Sequence, residues 1–288
     1  MSGTRRNLCN MMSTSPEFAT FFAEEVRRHF NIQKPETFWN CGPGLTRFVA
    51  NGFHEAWVNA ELRTLSTNVD HLGRWALNEV TLHRDSGCTL SITLFEGPQR
   101  YIHALPFLGL YIPLQTSLVC DRYELPEGYR NDVFDASVKL QPAGSFTTSP
   151  GEIAKLESGR YVYDWRISEP LIVLRLITPP LQSLEWLFSR STLHAWQAND
   201  ADLRYTQMRV AAYVLGKIAH QSSIPPLRHL ADHSHHAVRW AAIQSLGRLN
   251  RSEAMIKIRA AVHDKHPHVR RAAQKTLERL DGKPGGQL

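Results

Sequence analysis

Histidine is the side chain best suited both to binding a transition metal and to moving protons near neutral pH, and the chain contains 14 of them. His103 lies within residues 89–113, which read as two β-strands joined by a turn at residues 96–98. A histidine in a small barrel has three uses: a hydrogen bond to the barrel wall, ligation of a metal, or acid–base and substrate-binding chemistry. The residue types alone leave all three uses open for His103.

The elements that would position His103 are short strands. Leu90, Ile92 and Leu94 alternate with Ser91 and Thr93, which is the period of two expected of a half-buried strand. Turn residues separate most of the other apolar segments. Many short strands with turns between them predict a closed barrel or a jelly roll. The further strands are predicted at residues 75–82, 101–114, 119–125, 133–140, 153–156, 160–165 and 171–177.

Helical patterns flank this β-rich segment on both sides. Aromatic residues between Phe18 and Phe30 fall at helical spacing, and a second helix is predicted at about residues 45–65. The strands are predicted to stop at residue 180, because residues 181–188 and 193–196 read as helical. The predicted parts are an N-terminal helical segment at 1–70 that packs on the barrel, the barrel at 71–180, and helices at 181–288.

A repeat with a period of 31 residues occupies the last third of the chain. The segments LGKI at 215–218, LGRL at 246–249 and LERL at 277–280 follow one another at this spacing. The same offset aligns VRWAA at 238–242 with VRRAA at 269–273. A fixed period of this size indicates stacked helical hairpins, whose alanines let neighbouring helices approach closely. The pattern resembles short HEAT-like repeats, which implies an α-solenoid of nearly three units.

The positive charge of the protein belongs to these repeats. The whole chain has a net charge of +6, whereas residues 200–288 hold 15 lysines and arginines against 7 acidic residues, a net of +8. Aligned charges attract an acidic protein partner, and a solvated charged face is the alternative. Nucleic acid is disfavoured, because no aromatic ladder or groove-reading motif accompanies the charges. Stacking predicts two columns of cations: Lys217, Arg248 and Arg279 in one, and Arg239 and Arg270 in the other.

Histidines concentrate in the predicted turns of the same repeats. Imidazoles grouped in this way suit a borderline metal such as zinc or nickel. No cysteine lies nearby and basic residues stand beside them, which argues against a metal. Their titration would then make this face more positive as the pH falls. One turn holds His233, His235 and His236, and the matching turn holds His263, His266 and His268.

The remaining composition narrows the setting of the protein. The longest apolar runs are far too short to cross a membrane, and no apolar segment of a signal peptide follows Arg5 and Arg6. The four cysteines form no C-x-x-C pair, which favours a reducing compartment over a disulfide framework. We therefore expect a cytoplasmic protein without a membrane partner.

The β-rich segment, roughly residues 75–180, resembles the cupins, and among them the thiol dioxygenases of the cysteine dioxygenase type. Residues 90–103 form a strand and a turn that end at a histidine, where the family begins its His-x-His motif. Residues 149–153 (SPGEI) and 169–180 (EPLIVLRLITPP) match the family's turn, its last core strand and its closing pair of prolines. The resemblance implies a mononuclear Fe(II) site held by three histidines, with open positions for substrate and dioxygen.

The resemblance assigns His103 to the first of these ligand positions. The second position, two residues later on the same strand face, holds Leu105, and the third is expected near Arg160 or Tyr161, where no histidine stands. Other residues are therefore candidates to complete the site: His83 for the metal, Tyr161 and Tyr163 for catalysis, and Arg84 for the substrate.

Two functional hypotheses follow. In the first, the barrel binds a small molecule or carries out an altered non-haem iron oxygenase reaction, with Fe(II) or with no metal, and the repeats dock it to a partner. In the second, the barrel is a catalytically silent scaffold, and the basic repeats bind an acidic protein. Metal content and the effect of charge reversal in the repeats distinguish the two hypotheses.

Overall fold

The computed structural model describes Phe22 and residues 24–281 and divides the chain into two units. The barrel unit contains the residues up to Tyr129 together with Asp135–Asn199. The helical unit contains Arg130–Phe134 and the residues from Asp200 onward. The barrel unit therefore extends to Asn199 rather than ending at residue 180.

Two antiparallel sheets form the barrel unit. One sheet has the strand order β1-β2-β9-β4-β7, and the other has the order β11-β10-β3-β8-β5-β6. The strands are β1 (Glu79–Arg84), β2 (Thr89–Phe95), β3 (Tyr101–Ala104), β4 (Gly109–Pro113), β5 (Leu118–Glu124), β6 (Gln141–Thr148), β7 (Ala154–Leu156), β8 (Tyr161–Trp165), β9 (Leu171–Ile177), β10 (Leu184–Ser189) and β11 (Ala195–Asp200).

The strand order identifies the fold as a cupin-like jelly roll. From β2 to β9 the chain alternates between the sheets, except that β5 and β6 pair side by side. These strands form two four-stranded sheets, 2-9-4-7 and 3-8-5-6, which is the arrangement of two interlocked Greek keys. The predicted barrel is thus confirmed, and β1, β10 and β11 extend its sheets.

Helices cover the outer face of the first sheet. A 3-10 helix (Pro35–Cys41) precedes α1 (Gly42–Ala50) and α2 (Phe53–Thr67), and residues 24–29 are also helical. The helix predicted at 45–65 is therefore two helices, which meet at Gly52, a residue with a φ of 70° that favours glycine. The start of the helix predicted before Phe22 lies outside the described residues. The apolar side chains of the described helices pack against Leu90, Leu110 and Leu174 of the first sheet, and together they form one core cluster.

Because helices cover the outer side of the first sheet, the polar residues of the alternating strand β2 do not face water. Because the helices cover the side of β2 that carries Leu90 and Ile92, Ser91 and Thr93 point into the space between the sheets. Ser91 and Thr93 are almost completely buried. The polar face of this strand thus lines the barrel instead of meeting water. Aromatic and aliphatic residues fill the rest of the interior: Phe95, Tyr111, Leu118, Tyr163, Trp165 and Val173.

The prediction that residues 181–188 and 193–196 are helical is wrong. β10 pairs with β3, opposing Leu187 to His103, and β11 continues the same sheet. Trp186 and Phe188 are fully buried on one face of β10, so tertiary burial of aromatic residues overrides the helix-like pattern.

The strand predicted at residues 133–140 is also wrong. Asp135 instead accepts hydrogen bonds from the backbone N–H and the hydroxyl of Ser137, which makes a local turn. The strand of this region is β6, with the polar sequence QPAGSFTT. It lies at a sheet edge, where a proline is tolerated and neither face needs a continuous apolar pattern.

The helical unit consists of short helices stacked in pairs. Neighbouring helices bury Ala212, Ala242, Ala254 and Ala273 in a single core, as the small residues of the repeat predict. Among the described helices, none combines the length and the apolarity that crossing a membrane requires. The helices are α3 (Leu203–Ile218), α4 (Ile224–Leu230), α5 (His236–Leu249), α6 (Arg251–Ala261) and α7 (Pro267–Asp281).

Candidate functional site

His103 faces the interior of the barrel. It pairs with Tyr163 on β8 and with Leu187 on β10, so the three side chains share one face of the sheet. Its Nδ1 lies 2.9 Å from Oε1 of Glu185, and the two side chains are 34% and 28% exposed. An ionised carboxylate only accepts hydrogen bonds, so Nδ1–H donates to it and Nε2 of the neutral ring keeps its lone pair. This arrangement produces an oriented proton acceptor that solvent can reach.

A polar row crosses the opposite sheet. Ser91, Arg175 and Tyr111 are register partners on β2, β9 and β4, and therefore share the interior face. Nη1 of Arg175 lies 3.5 Å from Oε2 of Glu79, and the hydroxyl of Thr93 donates to the same oxygen at 3.4 Å. Both contacts are long, so Glu79 holds Arg175 in place without saturating its donors.

Tyr111 extends this row to the other sheet. Its ring stacks on Trp165 of the other sheet at 5.7 Å, and the Arg175 guanidinium lies 5.4 Å from its ring centre. Burial raises the pKa of Tyr111; Arg175 opposes the rise, and the negative charges of Glu79 and Glu185 add to it. Three charged side chains, from β1, β9 and β10, therefore influence the pKa of this one phenol.

Two polar atoms of this site have no hydrogen-bond partner within the described protein. They are Nε of Arg175 and Oγ of Ser91, and both are buried. Leaving a buried polar atom unpaired costs about 1–3 kcal/mol. The side chains are nevertheless held in place by register, and Arg175 is only 15% exposed. The arrangement presents a donor and a hydroxyl to whatever occupies the space beside them.

The three-histidine pattern is not rebuilt around His103. Leu105 packs against the apolar interior cluster, and Tyr161 lies under the guanidinium groups of Arg122 and Arg160. The hydroxyl oxygen of Tyr163 accepts the Glu157 N–H at 2.9 Å, and burial raises its pKa to about 12. Tyr161 and Tyr163 thus fill packing positions, and the raised pKa of Tyr163 keeps its hydroxyl protonated near neutral pH.

His83 and His103 do not come together. A register shift in β1 places His83 opposite Leu90, on the helix-covered side of the sheet, where its Nε2 lies 3.2 Å from Asp85. Arg84, the predicted substrate residue, is exposed at the end of β1. The arginine inside the barrel is Arg175.

His83, Asp85 and Cys88 form one of the two groups of described side chains with ligand atoms close enough for a metal. Burial opposes ionisation of Asp85, but hydrogen bonds from Gly87, His83, Cys88 and Arg27 outweigh it and lower its pKa to about 2. Burial raises the pKa of the Cys88 thiol to about 12. A saturated carboxylate and a protonated thiol are poor ligands, and His103 belongs to neither described group.

The sequence contains a signal for each of two interior residues, Arg175 and Glu185. Arg175 is the lone charge in the apolar strand LIVLRLI, and Glu185 is the lone charge in LEWLF. A charged residue within a buried strand is rarely tolerated without a partner or a role. No pattern in the sequence, however, shows that Arg175 and Glu185 approach the same tyrosine.

The basic column of the repeats lies at equivalent helix ends. Lys217, Arg248 and Arg279 occupy the last turns of α3, α5 and α7, where a cation also favours the negative end of the helix dipole. Lys217 and Arg248 lie 5.6 and 5.2 Å from the ring centre of one tyrosine, Tyr213, which is 51% exposed.

The second predicted column is internal. Arg239 is buried, forms a two-pronged ion pair with Asp264 at 2.6 and 2.9 Å, and donates to the carbonyl oxygens of His233 and Ser234. Arg270 repeats the carbonyl contacts one unit later, on Asp264 and Lys265. These two arginines fasten the turns of the repeat. Arg239 is therefore removed from the partner-binding set, because its charge is already neutralised and enclosed.

Comparisons with known proteins agree with this division. A family model described as HEAT repeats matches residues 197–278. No curated protein matches the chain. The helical unit is therefore built of HEAT-type repeats, as its period of 31 residues predicted.

Solved structures similar to this chain share little sequence identity with it. A hydroquinone 1,2-dioxygenase solved with Cd²⁺ and 4-hydroxybenzonitrile is 14% identical over 38% of this chain and 66% of its own, with a TM-score of 0.28. The enzyme of the same name from Sphingomonas sp. TTNP3, solved with 4-hydroxybenzoate, is 11% identical over 36% and 66%, with a TM-score of 0.30. A cupin superfamily protein from Desulfitobacterium hafniense DCB-2 is 12% identical over 38% and 82%, with a TM-score of 0.25.

This chain spans just under two thirds of the length of the two dioxygenases. At such TM-scores the assignment of the fold rests on the strand order described above. The relation to thiol dioxygenases in particular stays a prediction.

Proposed function

We propose that the barrel unit binds a small organic acid at the site formed by His103, Glu185, Tyr111, Arg175 and Glu79. The observation that supports this most directly is the buried Nε of Arg175, which has no partner within the described protein. An oxygen acceptor on a ligand would satisfy this donor and remove the cost of leaving it unpaired. Small barrels are able to enclose one small molecule.

The chemistry of the site defines the ligand class. A guanidinium group prefers a carboxylate, to which it can donate two parallel hydrogen bonds. Nε2 of His103 is an acceptor, and Glu185 stabilises the imidazolium that forms when it takes a proton. The ligand would therefore be a carboxylic acid with a second group, a hydroxyl or a thiol, that donates to His103.

Fe(II) does not fit this set of residues. A site held by one imidazole, with Leu105 in the second position and hydrogen-bonded or stacked tyrosines near the third, lacks the ligands that iron needs. The proposed binding is therefore independent of iron. Metal analysis of protein purified without a histidine tag tests this: stoichiometric iron that is lost in His103→Ala would overturn it.

Calorimetry with three acids tests the ligand class: lactate, 3-mercaptopropionate and 4-hydroxybenzoate. Each combines a carboxylate with a hydroxyl or a thiol, and 4-hydroxybenzamide is the uncharged control. We expect at least one acid to bind and Arg175→Met to weaken it about 10- to 100-fold, as the loss of a charged hydrogen bond implies. The matched control is Arg84→Met, which removes the exposed arginine of the neighbouring β1 and should leave affinity unchanged.

The role of His103 has its own control. His103→Gln removes the proton acceptor, whereas His194→Gln changes an exposed histidine in the β10–β11 turn. We expect only His103→Gln to weaken binding of the acid, measured by calorimetry, because only this variant removes the acceptor at Nε2. Equal affinity of Arg175→Met, Arg84→Met and the unmodified protein would show that the barrel does not bind acids through Arg175.

A second function, binding of an acidic protein segment, is favoured by the pair of cations around Tyr213. Lys217 and Arg248 share its ring, so the side chains of two successive repeats are held on one exposed patch. Arg279 extends the patch by one unit. Fixed cations at regular intervals suit a chain of carboxylates better than dispersed charges do.

An oligo-glutamate peptide is the probe for this surface. We expect its affinity to fall with rising salt and to be lost when Lys217 and Arg248 are both changed to glutamate. Arg259→Glu is the matched control, because Arg259 is an exposed cation in the last turn of α6, outside the column. An equal loss of peptide affinity in Arg259→Glu and in the double variant would mean that only net charge matters. That result would contradict a specific role for the column of Lys217, Arg248 and Arg279.

The cellular setting remains part of the proposal. Cys41, Cys88 and Cys120 are buried free thiols, which suits a reducing compartment such as the cytoplasm. Fractionation of cells that express the full chain would test the assignment, and recovery outside the cytoplasmic fraction would contradict it.

A further inference from the structure

Three histidines of the helical unit converge at the turns of two successive repeats. His236 begins α5, His266 immediately precedes α7, and His268 is the second residue of α7. One ring nitrogen of each lies within 4.8 Å of those of the other two. The rings of His236 and His266 are parallel, with centroids 3.6 Å apart, and His268 stands edge-on to both.

The repeat does not account for this convergence. At the period of 31 residues, His236 corresponds to Pro267, and His268 corresponds to Ala237. The cluster therefore combines non-equivalent positions of two turns, which stacking brings side by side. The arginine–carbonyl contacts of the turns, by contrast, follow the repeat: Arg239 donates to the carbonyl oxygens of residues 233 and 234, and Arg270 to those of residues 264 and 265.

The hydrogen bonds of His266 leave one nitrogen suited to a metal. Its Nε2 lies 2.7 Å from the carbonyl oxygen of Asp132, so Nε2–H is the donor and Nδ1 keeps its lone pair. The only described contact of Nδ1 is a long one, with the His268 N–H at 3.3 Å. A backbone carbonyl that orients the far nitrogen in this way is the usual outer partner of a metal-binding histidine.

Two imidazoles of the cluster are shifted toward the neutral form that binds metals. Burial, and after it the neighbouring imidazoles and Arg239, lower the pKa of His236 to about 3. Burial also lowers the pKa of His266, against the effect of the Asp132 carbonyl. Neutral imidazoles can approach one another closely because they do not repel as cations would.

The basic residues around the cluster repel a cation less than the sequence suggests. Arg239 is paired with Asp264, and Arg209 is paired with Asp200 at 2.7 Å. Both arginines beside the cluster therefore have their charges largely compensated. The objection to a metal that the basic composition raised does not hold for these two side chains.

The cluster also opens onto a cavity. His236 and His268 line a space of about 260 Å³, together with Arg209, Trp240 and Gln244. A water molecule or a small ligand in this space could occupy a fourth coordination position. Three protein nitrogens and one exchangeable position form a common geometry for zinc.

We propose that His236, His266 and His268 bind a borderline divalent transition metal, of which Zn²⁺ is the best match. The nitrogens must approach from the present separations to about 3.4 Å, given Zn–N distances of about 2.0–2.1 Å. Binding thus rotates the stacked imidazoles, which clamps two successive HEAT-type turns together around the ion.

Calorimetry and metal analysis of the full chain, purified without a histidine tag, test the site with Zn²⁺. We expect one ion per chain and a rise in the melting temperature of the helical unit. His236→Gln and His268→Gln should each weaken binding at least about 10- to 100-fold. His263→Gln is the matched control, because His263 lies in the same turn, is exposed and stands outside the cluster. Its affinity should equal that of the unmodified protein.

Co²⁺ provides a readout that does not depend on stability. We expect the visible absorption of a four-coordinate cobalt site in the unmodified protein and in His263→Gln, and its loss in His268→Gln. Loss in His83→Gln would instead place the ion in the barrel unit and overturn the proposal. Absence of Zn²⁺ binding, or equal binding by all four histidine variants, would also overturn it.

Discussion

The barrel unit and the helical unit both bury arginines, but they do so for opposite purposes. In the helical unit, Arg239 is saturated: two contacts to Asp264 and two to carbonyl oxygens use its donors. In the barrel unit, Arg175 has one long ion pair and an unpartnered Nε. The first fastens two successive repeats, and the second keeps a buried donor without a hydrogen-bond partner among the described residues. Burial of a charge therefore indicates a role only when its partners have been counted.

The two units also differ in how they use polar residues along the chain. In the helical unit, the repeat places equivalent cations at equivalent helix ends, so that sequence spacing predicts spatial neighbours. In the barrel unit, the groups around Tyr111 come from β1, β9 and β10, which are far apart in sequence. Periodicity carries functional information in the first case and none in the second.

The largest effect on stability is expected from replacement of Arg239, the arginine with four hydrogen bonds. Arg239→Met should lower the stability of the helical unit by about 3–5 kcal/mol, because it leaves Asp264 enclosed without its partner. Arg166→Met is the matched change in the barrel unit: Arg166 also binds an aspartate, Asp121, through two contacts of 2.6 Å, but its side chain is 63% exposed. Its loss should destabilise the barrel unit far less, because solvent screens an exposed ion pair.

Hydrogen exchange resolved by peptide measures both changes, because it reports on each unit separately. Equal losses at the two sites would contradict the view that enclosure, rather than the ion pair itself, makes Arg239 a fastener.

A smaller effect is expected where helices of the repeats approach most closely. A Cβ on Gly216 of α3 would lie 2.7 Å from Cβ and 3.0 Å from Cα of Ser245 on α5. Gly216→Ala should therefore destabilise the helical unit by about 1–3 kcal/mol from overpacking, partly offset by the better helix propensity of alanine. Gly97→Ala is the barrel control, since no atom lies within 4 Å of its added Cβ.

Denaturant unfolding monitored on both units gives the comparison for these glycines. A shift for Gly97→Ala as large as that for Gly216→Ala would show that the spacing of the helices is not what selects glycine at position 216.

The smallest effect concerns pH. The pKa of Asp85 in the barrel unit is about 2, below its ordinary value of about 4, so its carboxylate stabilises the fold at neutral pH. The unfolded chain takes up this proton first, and the contribution is lost as the pH falls from about 4 to about 2. Asp85→Asn should lower the melting temperature of the barrel unit at pH 7, and the difference should vanish near pH 2. A difference that persists at low pH would exclude the ionised carboxylate as its source.

Much of the architecture follows from local patterns. Alternation in β2 and the turn residues predict a closed barrel or jelly roll, and the repeat period predicts stacked helical hairpins; the topology and the family match confirm both. The failures have physical causes. The sequence of β10 predicts a helix, whereas burial of its aromatic residues against neighbouring elements makes it a strand. β6 has no strand pattern, because an edge strand needs no apolar alternation.

The candidate site was less accessible to such patterns. The sequence predicts Arg84 as the substrate residue, whereas the arginine that faces the interior is Arg175. It also makes His83 a candidate metal ligand without defining its face, and a register shift places His83 on the helix-covered side. A shift of one residue exchanges the two faces of a strand. No local signal near His83 revealed it.

The sequence by itself determined the elements, their repeat and the excess of positive charge in the last third, because these depend on residues close together along the chain. Only the tertiary structure decided which faces look inward, which arginine is saturated and which histidines meet. Helices over one sheet turned the polar side of β2 into the lining of the barrel, and stacked turns brought His236 to His266 and His268. Both outcomes depend on distant segments, whose packing energies no window of sequence contains.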